Sequence, residues 1–189
     1  MSTSLQITVE QYDAMIARGE FEPREEHHVE LLEGEIVAMS PIGPPHDFHL
    51  EILTDWSYEV RPKRDVVVRV QGSLGIPELD SVPQPDLFWA RRDVYRRKRP
   101  QSADILLLVE VSESSLSKDR GRKARLYARA GIADYWIVNV AGQSVEVRRD
   151  PIEDGYGEIK VYRSGDEIPL LAFPQIGFPV ALLFPVEEE

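Results

Sequence analysis

The 189-residue sequence contains no cysteine, which excludes both a disulfide framework and a thiolate metal site. A reducing cytoplasm is the compartment this suggests. Long apolar runs are also missing. The most apolar stretch, residues 177–186, is short and holds Pro179 and Pro185, so it does not read as a membrane span. The N-terminus, Met1-Ser-Thr-Ser-Leu-Gln6, lacks the basic region and apolar run of a secretory signal. Positive charge is scarce as well. Twenty-two Lys and Arg stand against 33 Asp and Glu, a net charge of −11, which argues against a protein that coats nucleic acid without selectivity.

The net positive charge is concentrated in one stretch. Between Arg91 and Arg129 there are twelve Lys/Arg and five Asp/Glu, a balance of +7, leaving −18 for the rest of the chain. A charged run is often only a solvated face. This one brackets, in sequence, the carboxylate motif described below.

Length and an apolar fraction of 42% fit one domain over residues 1–189. Thr8-Val-Glu-Gln11 predicts a capping box that opens a short helix. Residues 28–39 read as two strands around a Glu33-Gly34 turn. Pro41 to Pro45 reads as a loop, followed by a helix from Phe48 to Val60 that Pro62 stops. Val66–Val70 and Leu87–Trp89 read as strands, and Arg91–Arg99 as an excursion with room for a helical turn. Ile105–Val111 is apolar at both parities, as expected of a central strand covered on both faces. A helix over Asp119–Ala130 closed by Gly131 and a strand at Tyr135–Val140 complete a crossover that predicts parallel pairing. Two further strands, near Ser144–Arg149 and Gly157–Arg163, flank a turn over Asp150–Gly155. The fold class predicted is α/β.

Three residues carry the chemistry. Glu110 lies near the carboxyl end of an otherwise apolar strand, where an unpaired charge costs several kcal/mol, so it requires a cation, a partner or a proton unless the strand has already ended. Asp86 follows Pro85 at the start of a strand; a simple Pro-Asp turn is the alternative. Lys123 shares a helix face with Leu126, Tyr127 and Ala130, the face expected to pack on the sheet, unless it pairs with Asp119 one turn away. Two carboxylates and a lysine suit phosphodiester hydrolysis. Hard oxygen ligands favour Mg²⁺, with Mn²⁺ as a substitute, bridging carboxylate and phosphate. The lysine would orient or deprotonate the attacking water, or stabilise the transition state.

Gln84-Pro-Asp86, Leu108-Val-Glu110-Val-Ser112 and Asp119-x-x-x-Lys123-x-x-x-Tyr127-Ala-x-x-Gly131-Ile-x-x-Tyr135-Trp resemble the Uma-type restriction endonuclease family of the PD-(D/E)XK nuclease superfamily. Glu30-Leu-Leu-Glu-Gly34-Glu-Ile-Val, Ser40-Pro41 and His46 extend the resemblance, which spans roughly residues 7 to 150. It implies a restriction-endonuclease-like central mixed sheet flanked by helices, Mg²⁺ dependence and a nuclease-type site. One departure is informative. The superfamily pattern has lysine two residues after the second acid, where this chain has Ser112; the resemblance assigns that role to Lys123, which must then fold back over the strand.

Glu30, as a third acid, and His46, as a contact to phosphate or to water at the metal, are supporting candidates, together with Asp119. His46 and His49 are spaced for zinc but lack a defined third ligand. His27 and His28 read as surface loop residues. Arg96, Arg97, Arg99, Arg122 and Arg125 are the candidate contacts to DNA. A metal-dependent DNA endonuclease is the leading function. A non-catalytic nucleic-acid-binding or assembly module and a phosphoesterase acting on a small substrate are the alternatives. The apolar segments Leu170–Phe173 and Val180–Phe184 predict either packing at the core edge or a homodimer interface.

Overall fold

The computed structural model of the chain describes residues 6–22 and 28–185. His27 falls outside them; His28 is exposed. Helix α1 (Val9–Ala17) opens with the expected capping box: Gln11 N–H donates to Thr8 Oγ1 at 3.3 Å, and Thr8 N–H to Gln11 Oε1 at 2.9 Å. Strands β1 (Val29–Leu32) and β2 (Glu35–Ala38) pair antiparallel across Glu33 and Gly34, both left-handed at φ 51° and 78°. This is the backbone a two-residue hairpin turn requires. Helix α2 (Pro44–Val60) starts four residues earlier than the sequence pattern suggested. The two prolines begin it because the first helical N–H groups need no intrahelical acceptor.

Six strands form the main sheet in the order β3-β4-β5-β6-β7-β8. They are β3 (Val66–Val70), β4 (Leu87–Arg91), β5 (Ile105–Ser112), β6 (Tyr135–Asn139), β7 (Ser144–Ile152) and β8 (Gly155–Tyr162). Only β5 and β6 run parallel, as the crossover predicted; the other neighbours are antiparallel. The sheet is therefore mixed. The β7–β8 hairpin is longer than the sequence reading allowed, because Asp150 takes φ 58° within the strand and pairing resumes at Pro151 and Tyr156. The stretch after Arg91 contains bends but no helical turn.

Side-chain alternation gives the sheet two apolar faces. On one, Leu50, Leu53 and Trp56 of α2 cover Trp89, Val109 and Trp136. Trp56 stacks on Trp89 at 5.4 Å and meets Phe178 edge-on at 4.9 Å, while Trp89 Nε1 donates to Ser57 Oγ at 2.9 Å. The carboxyl-terminal hairpin, β9 (Glu167–Pro169) and β10 (Gly177–Pro179), closes this face with Ile168, Leu170, Phe178, Val180 and Leu183 buried. Those segments pack the core edge, the first of the two readings. On the opposite face, Phe88, Leu108, Tyr135 and Ile137 lie under the crossover helix.

That helix has three parts: α3 (Leu116–Lys118), a wide π-type turn over Asp119–Lys123, and α4 (Ala124–Arg129). It begins before Asp119, and Gly131 (φ 75°) ends it as expected. Phe178→Ala should cost about 3–5 kcal/mol in urea unfolding, since it empties a site walled by aromatic rings. An unchanged midpoint would remove the carboxyl-terminal hairpin from the core.

Candidate active site

The alternation that builds the two faces also gathers the acids. Asp86 has the parity of Phe88 and Ala90, and Glu110 that of Leu108 and Ser112, so both point toward the crossover helix. Asp86 stands immediately before β4 and Glu110 near the carboxyl end of its antiparallel neighbour β5, so the two meet at one end of the sheet. Val111 N–H donates to Asp86 Oδ2 at 2.8 Å, which joins the loop carrying one acid to the strand carrying the other.

Glu110 is 3% exposed. Its Oε1 accepts from Lys123 Nζ at 2.9 Å and from Tyr127 Oη at 2.7 Å. Lys123 thus folds back over the strand, as the departure at Ser112 required. Its partners are Glu110 and, at 3.8 Å, Glu30 Oε2, rather than Asp119. Among the described residues Oε2 of Glu110 accepts no hydrogen bond. Asp119 is buried and accepts from Ser112 Oγ at 2.7 Å and from Ser115 Oγ, so Ser112 braces the helix entry.

Glu30 is fully buried. Lys118 Nζ donates to its Oε1 at 2.7 Å and Gln84 N–H to its Oε2 at 3.2 Å. His46, two residues into α2, places Nε2 3.1 Å from Asp86 Oδ1, while its buried Nδ1 has no hydrogen-bond partner among the described residues and lies 3.9 Å from Asp47 Oδ1. His49 turns away: its Nδ1 lies 2.6 Å from Pro45 O and its ring packs on Phe184. No zinc pair forms from the two.

Glu30, Asp86, Glu110 and Asp119 outnumber the cations among them, Lys118 and Lys123. Burial pushes the Glu110 carboxyl up, Lys123 pulls it back, and Asp86 and Asp119 raise it again, to about 8. Burial works against the charge on Lys123, but Glu110 and Glu30 outweigh it and hold the ammonium above its ordinary value. His46 is raised as well, chiefly by its contact with Asp86.

The cleft among these residues has a volume of about 70 Å³. It shares Met39 to Ile42 with a neighbouring groove of about 830 Å³ beside α1. A pocket enclosing a small organic substrate has roughly 300–1,000 Å³, so the cleft itself suits an ion and water. Among the described residues no three His, Asp or Glu side chains converge as a ready-made metal cage. Mg²⁺ needs none, because it binds through one or two carboxylates and keeps waters and substrate oxygens. The open Glu110 Oε2, the nearby Asp86 carboxylate and the surplus negative charge fit such an ion.

The sequence matches, over residues 9–181, the Uma2 family, described as "Putative restriction endonuclease". The chain belongs to the Uma2 family. Among solved structures it is similar to a protein from Anabaena variabilis described as a putative nuclease belonging to DUF820. That similarity has 17% identity and a TM-score of 0.61, and covers 82% of this chain and 89% of the other. It concerns the fold. Comparison with curated proteins returns no significant match.

Sequence reasoning missed two members of this Uma2 site. Tyr127 enters the sequence reading through the apolar face and the family pattern with no role for its hydroxyl, although a hydroxyl one turn beyond Lys123 is a visible signal. Lys118 carried no usable signal, since Glu30 is 88 residues away. The arginines divide. Arg96, Arg97 and Arg125 are exposed, but Arg99 is held by Asp13 at 2.6 Å, and Arg122 by Glu35 and Leu32 O at 2.8 and 2.7 Å. Nor does the basic segment bracket the acids in space, since Arg91 and Arg92 leave β4 at its far end.

The pH dependence of stability follows from Glu110. Its folded value lies above its ordinary one, so the stabilisation is present below about 4.5 and is lost as pH rises through about 8. The metal-free protein should lose stability, on the order of a few kcal/mol, across that window. Glu110→Gln should flatten the profile of Tm against pH; an identical slope in the variant would show that another group is responsible.

Proposed function

We propose that this Uma2 protein is a Mg²⁺-dependent endonuclease that hydrolyses DNA phosphodiester bonds, with Asp86 and Glu110 as metal-holding residues and Lys123 as the catalytic cation. The observation that carries the reading is the Lys123 Nζ–Glu110 Oε1 contact of 2.9 Å, which brings the lysine onto the acid strand and leaves Oε2 open. Mg²⁺, or Mn²⁺ in its place, would polarise the scissile phosphate and lower the pKa of water. The chain's own groups prepare for this. The Val111 N–H and His46 fix the two oxygens of Asp86. Lys118 balances Glu30, so that Lys123 is shared rather than monopolised.

Lys123 suits some of its possible roles better than others. Its neighbours hold it protonated, which favours orienting the attacking water and stabilising negative charge on the phosphate over taking a proton. A charged donor fixed before the reaction begins needs no reorganisation when charge develops. The small cleft, continuous with a long groove, fits a polymer that lays one phosphate over the acids better than a small ester enclosed on all sides.

The test is nicking of supercoiled and linear DNA with Mg²⁺ and with Mn²⁺. Asp86→Asn should abolish the activity. Lys123→Ala should lower it by roughly a hundredfold or more, with partial recovery in Lys123→Arg. If the wild type cuts no DNA form with either ion and Asp86→Asn is indistinguishable from it, the nuclease reading fails. A non-catalytic nucleic-acid-binding module then takes its place.

A further inference from the structure

Basic side chains from separate stretches meet at the end of the sheet remote from the carboxylates. Arg61, Lys63 and Arg64 lie between α2 and β3, while Arg91 and Arg92 lie at the end of β4. Val66 pairs with Arg91, and Arg92 N–H donates to Asp65 O at 2.7 Å. Arg61 Nη1 and Arg92 Nη2 donate to the same acceptor, Val66 O, at 3.3 and 3.0 Å. Two guanidiniums are thereby held side by side, and among the described residues neither forms an ion pair with a carboxylate. Like charges fixed this close repel unless something anionic lies over them. Arg61 also stacks over Tyr58 at 4.8 Å, a ring left 46% exposed.

From this pair a series of cations runs along the β3 edge toward the cleft. Tyr95 Oη donates to Arg91 O at 2.7 Å, and Arg69 and Lys98 lie 6.0 and 5.6 Å from its ring. Arg99, its charge already answered by Asp13, follows, donating to Ser73 Oγ at 3.1 Å and lining the groove that joins the cleft. Among the acids of this region, Asp93 pairs with Lys98, Asp104 accepts from Gln101 N–H and Asp13 pairs with Arg99, while Glu59, two residues before Arg61, is exposed. Asp65 is exposed.

We propose that this edge is a track for a nucleic-acid phosphate backbone, anchored on Arg61 and Arg92 and leading past Arg69 and Tyr95 toward the acids. The nuclease reading gives the track its destination, while the phosphate contact itself is independent of it. Leu87 to Arg91 spans about 13 Å at ~3.3 Å per residue. That is the axial rise of about four nucleotides at 3.4 Å each. Guanidiniums alternating with aromatic faces suit a strand that offers both phosphates and bases to stack. An acidic peptide would satisfy the charges but not the rings. The track also gives a chain of net charge −11 a local concentration of positive charge with which to hold a polyanion.

Fluorescence anisotropy with labelled single-stranded and duplex DNA, in EDTA so that nothing is cut, tests the proposal at several salt concentrations. Arg61→Gln/Arg92→Gln should weaken binding about tenfold or more. Its log–log salt slope should be shallower by roughly 1.4 (single strand) to 1.8 (duplex), the value for two lost phosphate contacts. Lys63→Glu/Arg64→Glu, at exposed positions, should weaken binding similarly with Tm unchanged, which guards against misfolding of the first variant. Asp86→Ala/Glu110→Ala should bind at least as well as wild type, so a failed nuclease reading would leave this result standing. Unchanged affinity and slope in both basic variants would overturn the proposal. So would displacement of the DNA by polyglutamate as readily as by unlabelled DNA.

Discussion

A carboxylate set into an apolar strand that is covered on both faces must be compensated, and the crossover helix is built around that requirement. Glu110 sits on β5 with Leu108 and Ser112 beside it on the same face, buried apart from the small cleft that it lines. Lys123 and Tyr127, one turn apart, descend on the same oxygen. The wide turn over Asp119–Lys123 brings both of its ends inward, so that Asp119 meets Ser112 while Lys123 meets Glu110. Such π-type turns interrupt otherwise regular helices and are frequent at functional sites. Here the turn has a definite geometric task.

Compensation is incomplete by design of the neighbourhood. Glu30 and Asp86 add negative charge from the hairpin and from the start of β4, and Lys118 and His46 answer them only in part. Burial, with Asp86 and Asp119 beside it, raises the Glu110 carboxyl, and Glu110 and Glu30 hold Lys123 above its ordinary value against the effect of burial. A divalent ion would relieve the imbalance that the polypeptide leaves, which is why the same cluster strains the metal-free fold and fits the proposed chemistry. Stability and activity are opposed at this one point.

How much of this could be read from sequence depended on the range of the interaction. Glu110 was legible because its neighbours along the strand are apolar, and Lys123 because Leu126 and Tyr127 mark its helix face. The capping box at Thr8 and the Glu33-Gly34 turn were legible for the same reason, being local. Glu30 was not. Its burial comes from Val82 bridging to Leu31, from Gln84 and from a lysine far along the chain. The start of α2 at Pro44 was hidden because proline reads as a breaker unless it is known to occupy the first turn. The candidate arginines all belong to the basic segment that brackets Glu110 in sequence. An antiparallel strand carries Arg91 away from the acids, and Arg99 and Arg122 are engaged by Asp13 and Glu35 from other elements.

The central claim is that Asp86 and Glu110 form one cation site, and calorimetric titration of Mn²⁺ into the wild type and into Asp86→Ala/Glu110→Ala addresses it without depending on any DNA substrate. The account predicts saturable binding by the wild type and its loss in the variant. Equal, weak binding by both proteins would contradict it and leave the buried acids as a structural feature of the fold.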